Sequence, residues 1–133
     1  MSERRLLLDT HAFVWWAVGS IRLPAGTVEA IADADEVSVS LASFWEIVIK
    51  ESTNHPMIGT ADAYRWFSEA MATTDFSTMP IEARHIARVQ HLPLHHRDPF
   101  DRLLVAQAND ADLTIVTRDS EIEQYDVEHR WWN

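Results

Sequence analysis

Residues 95–108 read His95-His96-Arg97-Asp98-Pro99-Phe100-Asp101-Arg102-Leu103-Leu104-Val105-Ala106-Gln107-Ala108. Asp98 followed by Pro99 marks a helix start. The carboxylate can accept from free backbone N–H groups, and the fixed φ of proline suits the first helical position. Asp101 then falls in the first turn. Leu103, Leu104 and Ala108 recur at helical spacing, and Val105 and Ala106 widen the apolar face. This predicts a helix from Pro99 to Asp110 with a buried body and two carboxylates at its mouth. Capping explains both aspartates, because acids complement the dipole at a helix N-terminus. A metal site is the competing reading, and the rest of the chain bears on the choice.

On either side of this helix, apolar runs alternate with helical patterns. Strands are predicted at Arg5–Leu8, Glu36–Ser40, Asp75–Met79, Leu113–Val116 and Val127–Trp131. Helices are predicted at Thr10–Val18, Leu41–Glu51, Asp62–Ala72 and Glu82–Val89, with a shorter one capped by Thr27 and running to Ala34. Gly19, Pro24, Gly26, Pro56, Gly59 and Pro93 punctuate the connections. Strands alternating with helices imply an α/β fold, a parallel sheet covered on both faces. The sheet is small, since helices outweigh strands. No repeat, linker or low-complexity segment interrupts the pattern.

The chain has 133 residues, enough for one domain with a real core. Hydrophobic residues make up 47%, which argues against disorder. There is no cysteine, so disulfides, thiolate nucleophiles and Cys-ligated zinc are excluded. The apolar run Leu6-Leu7-Leu8 is too short for a signal peptide or membrane span, and a cytoplasmic location without membrane association is expected. Lys and Arg total 11 against 21 Asp and Glu, a formal net charge of −10. That suits a polyanionic ligand poorly, unless bound cations neutralise carboxylates or a basic partner covers them. Positive charge concentrates at Arg84, Arg88, Arg97 and Arg102, joined by His85, His91, His95 and His96. This is a candidate polyanion-binding stripe or simply a solvated face. His95 and His96 lack an obvious third ligand and read as polar surface.

In open α/β sheets, function gathers beyond the carboxyl ends of the strands. Asp9 and Asp119 each follow an apolar run that reads as a strand. Glu46 sits between Phe44-Trp45 and Ile47-Val48-Ile49 in an otherwise apolar helix. Each acid has a structural explanation: Asp9 and Asp119 as caps or loop residues, Glu46 as the partner of Lys50 four residues on. Yet a carboxylate among large apolar side chains needs a partner, and carboxylates sharing one pocket raise one another's pKa. A divalent cation answers both problems. An all-oxygen donor set points to Mg²⁺ or Mn²⁺, ions suited to phosphodiester hydrolysis.

The four segments Leu6-Leu7-Leu8-Asp9-Thr10, Ser43 to Lys50, Asp98 to Ala108, and Leu113-Thr114-Ile115-Val116-Thr117-Arg118-Asp119 occur in the order and spacing of a PIN domain. The chain resembles that family from Leu6 to about Tyr125, in particular the VapC-like ribonuclease toxins of type II toxin–antitoxin pairs. The resemblance implies a three-layer α/β/α fold with a small parallel sheet, a single PIN-like domain over residues 1–133. It implies an endoribonuclease that uses Mg²⁺ or Mn²⁺. Carried over by position, the catalytic, metal-binding acids are Asp9, Glu46, Asp101 and Asp119, with Thr10 and Thr117 as supporting hydroxyls. Asp98 lies outside the general pattern and is read as a cap and an additional candidate for contact with metal or water. Arg84, Arg88, Arg97 and Arg102 become candidate RNA contacts. The implied partners are RNA, a second copy of the chain in a homodimer, and a cognate antitoxin whose tail blocks the pocket.

Two alternatives stay open on the residues: a housekeeping PIN nuclease in RNA maturation, and a non-catalytic PIN-fold binding module. Other acidic α/β families fit less well. A haloacid-dehalogenase-like site needs Asp-x-Asp after its first strand, and Asp9 is followed by Thr10-His11. A phospho-receiver domain would want a lysine after its last strand. No Gly-x-x-x-x-Gly-Lys-Ser/Thr run exists for a P-loop.

Overall fold

Consecutive leucines divide the core in two. In the computed structural model, which describes residues 3–95 and 97–133, Leu6, Leu7 and Leu8 lie in β1 (Arg5–Leu8) and are buried. Successive strand side chains point to opposite faces. Leu6 and Leu8 join one cluster with Phe13, Ile31, Val39 and Phe67, while Leu7 joins a second with Leu104, Val105, Ile115 and Ile122. A strand buried on both faces needs helices on both sides, hence its continuous apolar run. His96, raised above beside His95, lies outside the described residues.

The order is β1, α1 (Thr10–Val18), α2 (Ala25–Ala32), β2 (Glu36–Ser40), α3 (Leu41–Glu51), α4 (Ala63–Ala72), β3 (Ser77–Met79), α5 (Ala83–Val89), α6 (Pro99–Ala111), β4 (Thr114–Val116), a 3₁₀ turn (Ile122–Gln124) and β5 (His129–Arg130). The strands form one parallel sheet in the order β3-β2-β1-β4-β5. Helices α1, α2 and α4 supply apolar residues to the first cluster, and α6 supplies them to the second. This is the expected three-layer α/β/α architecture. From β1 the chain winds outward through β2 and β3, then returns to the other side of β1 as β4. The β1–β4 boundary is therefore a switch point, where loops leaving the strand ends diverge and open a crevice. Helix α3 follows β2 directly and touches α1, α4 and α6. It sends Ile47 into the first cluster and Ala42 into the second.

The predicted ranges of β1, α1, β2 and α3 are those observed, because each is bounded by a local signal. Asp9 caps α1, whose end is Gly19 in the left-handed conformation at φ 66°. Ser40 caps α3. Other bounds shift by a residue or two: α2 ends at Ala32, α4 begins at Ala63, α5 at Ala83 and β4 at Thr114, and α6 runs to Ala111. Larger changes also occur. Thr27 does not cap α2, which begins at Ala25 after Pro24; the Thr27 side chain is fully buried and serves a distant segment instead. Its hydroxyl donates to the Trp132 carbonyl and accepts from the Trp132 N–H at 3.0 Å. The last strand is only His129–Arg130, because only Ile115 and Val116 of β4 offer it partners. β3 begins at Ser77, not Asp75. Trp15, Trp16 and Trp66 are partly buried against the first cluster, which accounts for them as packing residues. Among the described residues no helix is long and apolar enough to cross a membrane.

The C-terminal tail is laced to the first turn of α2, where Gly26 N–H also donates to the Asn133 carbonyl at 2.9 Å. A Cβ at Gly26 would collide with that carbonyl. Gly26→Ala should therefore destabilise the fold by about 1–3 kcal/mol, the usual cost of overpacking. Chemical denaturation checks this, and limited proteolysis should show the tail cut first.

Candidate active site

The aspartates are placed by the start of a helix or the end of a strand, and Glu46 by the middle of α3. Asp9 follows β1, and its N–H donates to the Val116 carbonyl at 3.1 Å, which ties it to β4. Its Oδ1 accepts from Ala12 N at 2.8 Å, and the Thr117 hydroxyl also bonds to its carboxylate. Asp119 lies just beyond β4. Its N–H donates to Thr117 Oγ1 at 3.0 Å, and its Oδ1 accepts from Glu121 N at 2.8 Å. Thr117, fully buried, thus serves both aspartates. Asp98 Oδ1 accepts from Phe100 N at 2.8 Å and caps α6, with Asp101 in the first turn. Glu46 is 7% exposed on α3. Thr10 Oγ1 donates to Glu46 Oε1 at 2.7 Å and stands 3.0 Å from the buried Ser43 hydroxyl.

These side chains meet in one cleft of about 670 Å³, lined by Asp9, Glu46, Asp98, Asp101 and Asp119 together with Thr10. It lies beyond the ends of β1 and β4, at the switch point. Capping and site formation coexist: Asp9 and Asp98 each cap a helix and still line the cleft. The concentration of negative charge registers in the titration. Burial pushes the Asp101 carboxyl up to about 8, helped by the charges of Asp98, Glu46, Asp9 and Asp119. Burial also raises Asp9, against the bonds from Thr117 and Ala12. Glu46 is raised by burial and then by Asp98, against the bond from Thr10.

The profile of the PIN domain family matches residues 6–128. The chain belongs to the PIN domain family. It is 27% identical over 122 residues to the ribonuclease VapC22 of Mycobacterium tuberculosis, covering 90% of this chain and 91% of that one. Among solved structures, VapBC2 from Rickettsia felis, bound to a DNA fragment from their promoter, superposes with a TM-score of 0.69. Identity there is 14%, with 96% of this chain and 98% of that chain covered. A toxin–antitoxin complex from Klebsiella pneumoniae gives a TM-score of 0.59 at 19% identity, covering 86% and 87%. These structural likenesses establish the shared fold.

This PIN domain has features that sequence reasoning missed. His11, Arg22, Lys50 and His55 line the acidic cleft. His11 was within reach of the motif, since it directly follows Asp9-Thr10. Arg22 and His55 sit in loops with no local signal. The His55 loop is held by Glu51, whose carboxylate accepts from the backbone N–H groups of Met57, Ile58, Gly59 and Thr60 at 2.7–3.0 Å. Burial opposes the Glu51 charge, but those four donors outweigh it and hold its pKa below the usual range.

The arginine stripe does not line the cleft. Arg84 meets Glu82 and Asp110, and Arg88 lies 3.5 Å from Asp110. Arg102 donates to the carbonyls of Val89 and Pro93 at 3.0 Å and to the Tyr125 hydroxyl at 3.1 Å. It ties α6 to the preceding loop. Arg97 is exposed just before α6. Of the histidines in that region, His85 is buried 3.3 Å from Asp110.

Among the described residues, no three histidine or acidic side chains are already drawn together enough to hold an ion. The donor set nevertheless fits a hard divalent cation. The acids supply carboxylate oxygen alone, and burial together with the neighbouring carboxylates favours a proton on Asp101 near neutrality, a charge problem that a bound cation would relieve. In the unfolded chain Asp101 ionises near 3.8; in the folded, cation-free protein it does so near 8. Across that window the folded state binds more protons, so stability is greatest at the acid end and falls as pH rises. Asp9 and Glu46 act in the same direction. Thermal unfolding in EDTA between pH 4.5 and 8.5, a window of roughly the stated pKa span, should show this decline. Asp101→Asn should flatten it, and Mg²⁺ or Mn²⁺ should raise the midpoint most at the alkaline end.

Proposed function

We propose that this PIN domain is a metal-dependent endoribonuclease, the toxin of a toxin–antitoxin pair. The observation that carries the reading is the gathering of Asp9, Glu46, Asp101 and Asp119 from separate chain segments into one cleft at the switch point. Similarity to VapC22, a protein named as a ribonuclease, supports RNA as substrate. The toxin–antitoxin complex among the fold relatives supports a cognate antitoxin. On the same reading the protein is a cytoplasmic homodimer restrained by that antitoxin.

Asp9, Glu46, Asp101 and Asp119 would hold Mg²⁺ or Mn²⁺, with Asp98 at the cleft wall. A divalent ion, when bound, supplies Lewis acidity, acidifying water and offsetting charge on the phosphate. The chain supplies position. Thr10 fixes the Glu46 carboxylate, and Thr117 joins Asp9 to the backbone of Asp119, so three acids are oriented before anything binds. Such outer hydroxyls are part of how a site is tuned. Arg22 and Lys50, on the cleft lining, offset the acids and favour approach of a phosphate.

Purified protein with Mg²⁺ or Mn²⁺ should cleave RNA, and EDTA should stop it. Asp9→Asn and Glu46→Gln should each lower cleavage by about 100-fold or more, and Thr10→Val by about 10–100-fold. Full activity of Asp9→Asn would reject the assigned site. Expression alone should arrest growth, and co-expression of the antitoxin should relieve it; a housekeeping nuclease would do neither.

A further inference from the structure

Helices α3 and α6 carry two of the four acids, Glu46 and Asp101, and they meet at two well-separated points. At the cleft end the rings of Trp45 and Phe100, each next in sequence to an acid, pack edge to face with centroids 5.1 Å apart. At the far end the Ser40 hydroxyl donates to Gln107 Oε1 at 2.6 Å. Both residues of that pair are fully buried. Six positions separate Ser40 from Glu46, and six separate Asp101 from Gln107. At 1.5 Å per helical residue, each acid stands about 9 Å along its helix from the hydrogen bond. The two helices are thus antiparallel here, pinned at one end and carrying the acids at the other.

A directional contact is needed because the apolar ones do not fix a register. Ala42 of α3 shares a core cluster with Leu103, Leu104 and Ala108 of α6, and hydrophobic contact is non-directional. A slip of one helical residue would move Glu46 by about 1.5 Å and turn it by about 100°. The Gln107 amide resists such a slip because it is held from several sides. Its Nε2 donates at 3.2 Å to the Pro80 carbonyl, which can only accept, so Oε1 must face Ser40. Nε2 also lies 3.5 Å from His85 Nδ1. That ring nitrogen accepts from the Glu82 N–H at 3.0 Å, and the other, Nε2, lies 3.3 Å from Asp110 Oδ2. Ser40 Oγ in turn accepts from Ala42 N at 2.9 Å as the cap of α3. A buried polar chain of this kind specifies a single arrangement of the elements it joins.

We propose that Gln107 is a positioning residue for the acidic cleft. By accepting from Ser40 it sets where α3 lies along α6, and so brings Glu46 and Asp101 to the separation at which they serve one divalent cation. This rests on the metal-dependent reading of the cleft.

The test is calorimetric titration of the folded protein with Mn²⁺. Gln107→Met keeps the length of the side chain and removes the hydrogen bond; it should weaken Mn²⁺ binding by about 10-fold, as for other groups that orient metal ligands. Ser40→Ala, which deletes a single hydroxyl, should do the same and keeps the test open if Gln107→Met does not fold. Ser40→Thr, which retains the hydroxyl, should bind as the parent does. Loss in the double variant should be smaller than the two single losses combined, because both remove one interaction. At saturating Mn²⁺ the single variants should lower kcat for RNA cleavage more than they raise KM. Gly26→Ala is the control for stability alone: it should loosen the tail and leave Mn²⁺ affinity unchanged. Parental Mn²⁺ affinity in Gln107→Met or Ser40→Ala overturns the proposal. So does an equal loss in Gly26→Ala or in Ser40→Thr, since affinity would then follow stability or side-chain volume and not the hydrogen bond. If the parent binds Mn²⁺ and the variants match it, only the positioning role fails; if the parent binds none, the metal-dependent reading fails with it.

Discussion

Like charges a few ångströms apart in a partly buried cleft repel by amounts comparable to the net stability of a small domain. At an effective dielectric of about 20, two unit charges roughly 4 Å apart cost about 4 kcal/mol. The PIN domain described here draws Asp9, Glu46, Asp98, Asp101 and Asp119 into one cleft. Burial first, and then the neighbouring carboxylates, push the Asp101 carboxyl up to about 8 when no cation offsets the charge. The rest of the fold works to hold those carboxylates together against their mutual repulsion.

The restraints are of three kinds. Helix starts fix Asp9 and Asp98 through backbone N–H donors, so part of each charge is offset by peptide dipoles. Buried hydroxyls fix others: Thr10 and its neighbour Ser43 beside Glu46, and Thr117 between Asp9 and Asp119. The sheet provides the third, because the Asp9 N–H bonds across to β4 and sets the distance between the β1 and β4 ends. Positive charge is then distributed at the margins rather than among the acids, with Arg22 and Lys50 on the cleft and Arg118 resting on indoles. A net charge of −10 is thereby compatible with a polyanionic substrate, since local potential at the cleft and not the sum over the chain governs approach.

Much of this was legible in the residues. The continuous apolar run at Leu6-Leu7-Leu8 announces a strand buried on both faces, and Asp98-Pro99 announces the start of α6. Asp9, Glu46, Asp101 and Asp119 stand out because each is a charge at the edge of, or inside, an apolar segment. The misleading signal was proximity in sequence. Arg84, Arg88, Arg97 and Arg102 lie close along the chain, yet α5 and α6 turn the first two toward Asp110 and spend Arg102 on backbone carbonyls. Thr27 looked like a cap because threonine often is one, and its actual partner is more than a hundred positions away in the tail.

By itself the sequence determined the element order, the parallel α/β class and the identity of the acids, because those depend on periodicity, capping chemistry and burial of charge, all of which are local. Only the tertiary structure decided which groups share the cleft with them. His55 arrives there through a loop whose backbone Glu51 holds, and Trp131 reaches Trp15 and Arg118 from the far end of the chain. Such meetings depend on strand order and on crossings between distant segments. Local patterns in the chain carry no record of them, because the free energy that selects them comes from packing the whole core.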